Sequence, residues 1–347
     1  MIRWMPVLFL GGCQNPSVGD EPVERKIALW SEFLPLSTVE AQFAWLADAD
    51  LEVNQAVTKG ESDLTEVSAF VLAAEDAGVR VNLWPMLSDA QGRWPNASNV
   101  DAFVPWWNEV IDRVEQDDLP VTTMIVDLEL GWDVQAQVRE LGAEGDVLGA
   151  MGLLMDHADP ARYEASKQVF GDMVADAQGR GFRVRLTTLP MVIDDFEDGD
   201  QDLQTVLDCP VEGIVWDEIS VQVYRSVFTE LLTGIFLEEG ETLGADVVFD
   251  YGVDARDAWG ERATLDLGTL GGVAYEQPAI LAEDLGAARA AGFAEGEVDL
   301  YSLDGMLLGE PALWVDELDA PALEPDAEPK VAEIREFLRT LDQNIEL

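Results

Sequence analysis

The chain has 347 residues, enough for one large α/β barrel or two smaller domains. It carries 69 acidic and 20 basic residues, a formal net charge of -49, so electrostatic repulsion opposes binding to nucleic acid or anionic lipid surfaces. One histidine and two cysteines exclude a histidine-rich zinc site and a disulfide framework, while 48% hydrophobic content suffices for a folded core. A Ser-His-Asp triad would have to use His157, and no G-x-S-x-G motif accompanies it.

The N-terminal segment has the order of a bacterial signal peptide: positive charge, an apolar run over residues 4–10, and small residues before Cys13. The four residues LGGC that end at Cys13 resemble a lipobox, the motif for lipid attachment. We therefore predict a signal peptide over residues 1–12, lipid on Cys13 and a polar tether over residues 13–25. The predicted location is the bacterial cell envelope, facing the periplasm or the exterior, with the lipid anchor as the sole membrane contact.

Strand-like apolar runs alternate with helix-length segments through the body of the chain. Strands are predicted at residues 26–33, 51–57, 79–87, 122–129, 182–190, 213–224, 246–253 and 298–306. Helices are predicted between them, for example at residues 37–49, 61–78 and 278–292. Ser37 or Thr38 would cap the first of these helices, and Gly78 and Gly292 would close the other two.

This alternation predicts a fold of the α/β class, a single-domain (β/α)8 TIM barrel over residues 26–315. The alternative is a doubly wound open sheet, but no glycine-rich phosphate turn follows the first strand. Residues 316–330 are rich in Pro, Ala and acidic residues and are predicted to be a linker. Apolar residues then recur at helical spacing, so residues 331–347 are predicted to dock as a C-terminal helix.

Two carboxylates end the fourth predicted strand. Asp127 and Glu129 are two residues apart, so a strand points both side chains to the same side. In these barrels the active site lies at the C-terminal ends of the strands, where Glu129 falls. Holding like charges together in an interior is costly, and structure alone seldom requires it. We interpret the two as a working pair; the alternative is a structural ion-pair network in which Arg185 would be the partner.

The sixth predicted strand has one polar face, which must point into the barrel because its other face is apolar and suits the helix layer. The residues predicted to point inward are Trp216, Glu218, Ser220, Gln222 and Tyr224, joined by Asn54 and Arg185 from other strands. The tryptophans predicted for loops at the same end are Trp94, Trp132 and Trp259, where indoles can stack on sugar rings. Trp84 on the third strand is a further predicted binding residue. Three tryptophans of predicted helices are assigned to packing: Trp45, Trp106 and Trp107.

The D-x-E ending of strand four and the Q-x-Y of strand six resemble the glycoside hydrolases of family 18, the chitinase-like barrels, especially their plant-type branch. The resemblance implies that Glu129 is the general acid and that Asp127 orients the acetamido group of the substrate. It also implies that Gln222 and Tyr224 line the sugar site, with Tyr301 where the family usually has a Trp beneath the sugar. In that family the acetamido oxygen of the substrate is the nucleophile.

The chain departs from the family pattern at several positions. Thr122 and Ile125 stand where the fuller signature D-x-x-D-x-D-x-E has its first two Asp residues, and Arg225 follows Tyr224. The third strand lacks the S-x-G-G of the family. In the family, the second Asp shares a proton with the third, so its replacement leaves a binding protein without turnover as an alternative.

We expect a glycoside hydrolase-like envelope lipoprotein that hydrolyses a polysaccharide or oligosaccharide, with N-acetylated sugars as one option, and that uses no cofactor or metal. The alternatives are a non-catalytic carbohydrate-binding barrel and a hydrolase assisted by a metal bound to carboxylates alone. A competing mechanism uses two carboxylates, with Asp250 on strand seven or Asp304 on strand eight as nucleophile or base. The oxygen donors for Mg²⁺ or Ca²⁺ would be Asp127, Glu129, Glu218, Asp250 and Asp304.

Overall fold

The computed structural model describes residues 25–143, 145–233, 236–271, 275, 277–343 and 345. Its centre is a closed barrel of parallel strands in which each strand pairs with the next and the last pairs with the first. Within the described residues the strands are β1 (Ala28–Ser31), β2 (Glu52–Thr58), β3 (Val81–Met86), β4 (Thr123–Leu128), β5 (Arg183–Thr188), β6 (Glu218–Val223), β7 (Ala263–Gly268) and β8 (Val298–Tyr301). Helices connect the strands, so the fold is the predicted (β/α)8 barrel.

The helices of the described residues are α1 (Leu36–Glu40), α2 (Phe43–Asp48), α3 (Leu64–Ala77), α4 (Val100–Gln116), α5 (Trp132–Ala143), α6 (Val147–His157), α7 (Pro160–Gly179), α8 (Val192–Asp198), α9 (Asp202–Val206), α10 (Arg225–Leu232), α11 (Asp246–Trp259), α12 (Pro278–Ala290), α13 (Leu303–Met306), α14 (Pro311–Val315) and α15 (Pro329–Asp342). None of them combines the length and apolar character that a membrane-spanning segment needs. The predicted signal peptide, Cys13 and the tether up to residue 24 lie outside the described residues.

Strand β4 shows how alternate residues divide between the two layers of the barrel. Its even-numbered residues Met124, Val126 and Leu128 belong to the large apolar core between the strands and the helices. Ile125 faces the opposite way and packs in a smaller cluster inside the barrel with aromatic residues such as Trp30. This alternation points Asp127, two residues after Ile125, into the barrel as well.

The N-terminal end of the barrel is closed by a buried ion-pair network. The Arg185 guanidinium donates to Glu218, with Nε 3.0 Å from Oε2, and also to Asp299. Arg25 and Asn54 donate to the same Asp299 carboxylate, at 2.9 and 3.1 Å. The prediction that Glu218, Arg185 and Asn54 point inward is therefore confirmed. Arg185 pairs with Glu218 and Asp299 at this end of the barrel. It is therefore not the ion-pair partner of Glu129 that the structural alternative requires.

The prediction of strand seven was wrong. Residues 246–253 belong to α11, and β7 begins only at Ala263. The apolar residues of this stretch recur at helical rather than alternating spacing and form one buried face: Val247, Val248, Tyr251 and Ala255. A helix can bury that face against the barrel. The helical spacing of the apolar residues therefore determines the structure, despite the β-branched residues in the segment.

Smaller differences concern helix and strand ends. The helix predicted over residues 37–49 is split into α1 and α2, and the N-cap of α1 is Pro35, without a side-chain cap from Ser37 or Thr38. Trp216 precedes β6 and packs in the outer apolar core, so its predicted inward direction was wrong. At the C-terminus, α15 docks through the buried Arg335, whose Nη2 lies 3.0 Å from Asp194 Oδ1.

Candidate active site

A cavity of about 450 Å³ lies at the C-terminal end of the barrel strands. Many of its lining residues come from strands or the residue after a strand: Trp30, Glu32, Trp84, Asp127, Glu129, Gln222, Tyr224 and Tyr301. This is the end of a (β/α)8 barrel at which the catalytic groups of such enzymes are found. The predicted residues Asp127, Glu129 and Tyr224 therefore converge on one cavity.

An amide group joins the two predicted acids. Gln222 Nε2 donates to Asp127 Oδ1 and to Glu129 Oε1, at 2.9 Å in both cases. The second oxygen of Glu129 accepts from Gln135 Nε2 at 2.7 Å. Asp127 is 2% exposed and Glu129 9% exposed, so both carboxyl groups are largely removed from water. The two glutamines fix the orientation of the pair without supplying a positive charge.

Burial raises the pKa of both acids. For Asp127 the effect is large, because the charges of Glu129 and Glu32 add to the cost of burial. For Glu129, burial also raises the pKa, and the hydrogen bonds from Gln222 and Gln135 partly offset it. Two interacting acids in such a site titrate together, so we treat the first proton as belonging to the pair. The pair thus retains a proton at pH values where an ordinary carboxyl group has lost it, as a general acid requires.

A third buried carboxylate, Glu32, lines the cavity and was missed in the sequence. Its side chain is 3% exposed. Oε1 accepts from Arg93 Nε at 2.9 Å and from Arg93 Nη2 at 2.7 Å, and Oε2 accepts from the Tyr301 hydroxyl at 2.5 Å. Burial raises the pKa of Glu32, and the bonds from Tyr301 and Arg93 oppose that rise. The one sequence signal was its position two residues after Trp30, at the end of the first strand.

Aromatic rings form much of the cavity wall. Trp30 and Trp84 meet edge to face with ring centroids 4.9 Å apart, and Tyr224 and Tyr301 lie 5.3 Å apart. At the rim, Trp94 and Trp132 are 5.4 Å apart, and Trp132 is 43% exposed. Such faces suit the apolar sides of sugar rings.

Two polar groups in these walls are suited to bind a ligand. The indole N–H of Trp84 is buried and has no hydrogen-bond acceptor among the described residues. Burial raises the pKa of Tyr224 well above its ordinary range, so the phenol stays neutral and keeps its proton. Both side chains line the cavity and can donate to an oxygen of a bound molecule.

Three predicted site residues lie elsewhere. Asp250 is on α11 and Asp304 is in α13, where its Oδ1 accepts from the backbone N–H of Phe33 at 3.2 Å. Neither lines the cavity, so their predicted places on strands seven and eight were wrong. Trp259 ends α11 and packs edge to face on Phe196, with centroids 5.2 Å apart, because the predicted loop is part of a helix.

The inward carboxylate of the true seventh strand is Asp266. It accepts from Trp30 Nε1 at 3.1 Å and from Thr187 Oγ1 at 2.6 Å. Burial and the charge of Asp299 raise the pKa of Asp266 to about 6. Asp266 therefore holds the indole of Trp30 in the cavity wall. Its role was missed in the sequence because strand seven was predicted at residues 246–253.

The carboxylates proposed as metal ligands do not form one site, since Glu218 lies at the opposite end of the barrel and Asp250 lies on a helix. In the part of the chain that the structure describes, no group of three or more His, Cys, Asp or Glu side chains has the arrangement to hold a metal ion. The five donors named for the metal-assisted alternative therefore do not meet at one ion.

Comparison with known proteins shows similarity of structure only. No family model matches the chain, and no curated protein matches its sequence. A putative alpha-L-fucosidase from Bacteroides thetaiotaomicron is similar in structure, with a TM-score of 0.50 and 9% identity over 91% of this chain and 100% of that chain. At this identity the likeness shows the fold alone, the (β/α)8 barrel.

Other similar structures include the PgaB (BpsB) glycoside hydrolase domain from Bordetella bronchiseptica, with a TM-score of 0.49 and 9% identity over 87% of this chain and 100% of that chain. An L-ribulose 3-epimerase has a TM-score of 0.45 and 14% identity, over 93% of this chain and 98% of that chain. Barrels of glycoside hydrolases and of sugar epimerases are thus both among the structural neighbours.

Proposed function

We propose that the protein is a glycoside hydrolase that cleaves glycosidic bonds of a polysaccharide or oligosaccharide, with Glu129 as general acid and Asp127 assisting it. The observation that carries this proposal is the convergence of Asp127, Glu129 and Tyr224 on one cavity with aromatic walls. The raised pKa values of the two acids support it, because a proton must be available for the leaving oxygen near neutral pH.

In this proposal the Asp127–Glu129 pair holds one proton and Gln222 fixes both carboxyl groups. The glycosidic oxygen approaches Glu129 Oε2 and replaces the hydrogen bond from Gln135. As the bond from the anomeric carbon to this oxygen breaks, Glu129 transfers the proton to the oxygen, which leaves as a hydroxyl group. Asp127 stabilises the positive charge that develops on the sugar, until the oxygen of a water molecule bonds to the anomeric carbon and the water releases a proton.

The resemblance to family 18 makes N-acetylated sugars a candidate substrate class, with the neutral Tyr224 hydroxyl as donor to the acetamido carbonyl. Two fluorogenic substrates that differ at the 2-positions of their sugars test this point: 4-methylumbelliferyl diacetylchitobioside and 4-methylumbelliferyl cellobioside. We expect wild-type protein to release the fluorophore from at least one of them and to cleave a matching unlabelled oligosaccharide. No release from either substrate, and no new reducing ends from the oligosaccharides over long incubation, would contradict the proposal.

A non-catalytic carbohydrate-binding protein is the second candidate, and Ile125 favours it. Ile125 is fully buried in the cluster with Trp30 and Trp84, at the position where the family 18 signature has an Asp that shares a proton with the next. Asp127 has Gln222 as its amide partner instead. Oligosaccharide binding in the cavity without any hydrolysis would select this function.

We also propose that the protein is a lipoprotein of a bacterial cell envelope, facing the periplasm or the exterior. The support is the LGGC motif at Cys13 and the signal-peptide order before it. A lipid on Cys13 would hold the barrel to the membrane through the polar residues that follow.

A further inference from the structure

The cavity has a buried carboxylate that the proposed chemistry of Asp127 and Glu129 leaves without a role. Among the described residues, the carboxylates that line the cavity are Glu32, Asp127, Glu129 and Glu230. Glu230 is exposed on α10 at the rim, whereas the side chain of Glu32 is 3% exposed. Glu32 follows β1 and Glu129 follows β4, three strands away around the closed barrel, so the two approach the cavity from different walls.

Glu32 is fixed by groups from two other elements. Arg93, from the segment between β3 and α4, donates two N–H groups to Oε1 and is itself paired with Asp89 at 2.8 Å. Tyr301, from the end of β8, donates its hydroxyl to Oε2. The two N–H groups use both lone pairs of Oε1, while one hydrogen bond from the described residues reaches Oε2 and leaves one of its lone pairs free.

The two acidic groups of the cavity also differ in their partners. Glu32 has the guanidinium of Arg93, which favours its ionised form and works against burial. Asp127 and Glu129 have hydrogen bonds from the neutral amides of Gln222 and Gln135. Acid and base catalysis of glycoside hydrolysis needs two carboxyl groups in one cavity, and the cation beside Glu32 makes it, rather than the amide-held pair, the group suited to act as base.

We infer that Glu32 is the second catalytic carboxylate of this site, the general base that takes a proton from the attacking water. This inference rests on the proposed hydrolase function. The free lone pair of Glu32 Oε2 accepts the water proton while the water oxygen bonds to the anomeric carbon. The bond from that carbon to the glycosidic oxygen breaks, its electron pair stays on the oxygen, and Glu129 protonates it. Proton exchange with solvent then returns Glu32 to the carboxylate and Glu129 to the acid.

The way Glu32 is held favours this base role over nucleophilic attack. Hydrogen bonds on both oxygens hold the carboxylate to the wall, so it is not free to move onto the anomeric carbon. An attacking water molecule can then lie between Glu32 and the anomeric carbon, as in inverting hydrolysis. It follows that the reaction uses no acetamido oxygen as nucleophile and that the first product has the inverted anomeric configuration.

The test compares wild-type protein with three variants, Glu32→Gln, Glu129→Gln and Glu61→Gln, on the two 4-methylumbelliferyl substrates and on the matching unlabelled oligosaccharides. Proton NMR of the oligosaccharide reaction with wild-type protein reads the anomer of the first product, and we expect inversion. Glu32→Gln should lower kcat/KM at least ~100-fold and remove the low-pH limb of the pH profile. Glu61→Gln, an exposed glutamate after β2, is the matched control and should leave kcat/KM unchanged.

Two results would overturn the base role while leaving the hydrolase function in place. A retained anomer would do so without any variant, so the test does not depend on the folding of Glu32→Gln. A folded Glu32→Gln variant with kcat/KM within ~3-fold of wild type would do so as well. If Glu129→Gln abolishes hydrolysis and Glu32→Gln does not, the base role alone fails. If wild-type protein cleaves neither substrate, the proposed function fails and the base role fails with it.

Discussion

Replacing Glu129 by Gln removes the transferable proton while it keeps the shape of the side chain. Gln222 and Gln135 both donate N–H groups to Glu129, so one of these contacts becomes donor against donor in the variant. The loss of one such hydrogen bond costs ~1 kcal/mol of unfolding free energy. Removal of a buried charge acts in the opposite direction, so we expect a net change within ~1 kcal/mol. Cleavage of an oligosaccharide should fall at least ~100-fold, because its leaving group needs the proton.

Glu218→Gln is the matched control, since it makes the same chemical change in the same barrel. Glu218 lies at the other end and pairs with Arg185, Arg183 and Arg25. Burial alone would raise the pKa of Glu218, but these charges lower it to about 2. Its replacement leaves the buried Arg185 guanidinium with Asp299 as its remaining counter-charge and should cost ~3 kcal/mol.

Urea unfolding and oligosaccharide hydrolysis are measured on both variants, and the two variants should show opposite effects on stability and on activity. We expect Glu129→Gln to be stable and inactive, and Glu218→Gln to be destabilised with normal activity per folded molecule. A Glu129→Gln variant that loses stability by several kcal/mol but keeps its specific activity would refute the catalytic assignment.

Three further changes test other parts of the account. Tyr224→Phe removes one hydroxyl and should weaken turnover or glycan binding by ~1–3 kcal/mol with an unchanged melting temperature; an unfolded variant whose native fraction works normally would contradict this. Burial and Asp299 raise the pKa of Asp266 from 3.8 to about 6. Between these pH values the folded state holds a proton that the unfolded state has lost, so the stability of the wild type falls as the pH rises. The Asn side chain of the Asp266→Asn variant does not titrate, so its unfolding free energy relative to wild type, measured in urea, should rise with pH by up to ~3 kcal/mol. A difference that does not change with pH would contradict this prediction. Cys13→Ser should move the protein from the membrane fraction to the soluble fraction without unfolding it, and equal solubility of both forms would rule out the lipid anchor.

Seven of the eight strands were predictable because their apolar runs are short and β-branched and separate helix-length segments. The seventh was not, because residues 246–253 have the composition of a strand and the spacing of a helix. The real strand β7 begins at Ala263 with the sequence ATLDLG, where apolar residues alternate weakly and a glycine ends the run. For residues 246–253 the spacing of the apolar residues predicts the structure correctly, whereas the amino-acid composition does not.

The site was predictable where one strand carried the whole signal. Asp127 and Glu129 stand two apart, and Gln222 and Tyr224 do the same, so alternation alone pointed each pair into the barrel. Glu32 was missed because its role depends on Arg93 and Tyr301, which are distant in the sequence and meet it only in the folded barrel. Convergence of that kind leaves no local pattern in a single sequence.

The most direct test of the central claim is a crystal structure of the Glu129→Gln variant soaked with an oligosaccharide that wild-type protein cleaves, or with chitotetraose and cellotetraose if cleavage is slow. We expect a sugar chain across the cavity, stacked against its aromatic wall, with the glycosidic oxygen in hydrogen-bond contact with the side chain of residue 129. An empty cavity at saturating ligand in a folded variant, or sugar bound only on another face of the barrel, would contradict it.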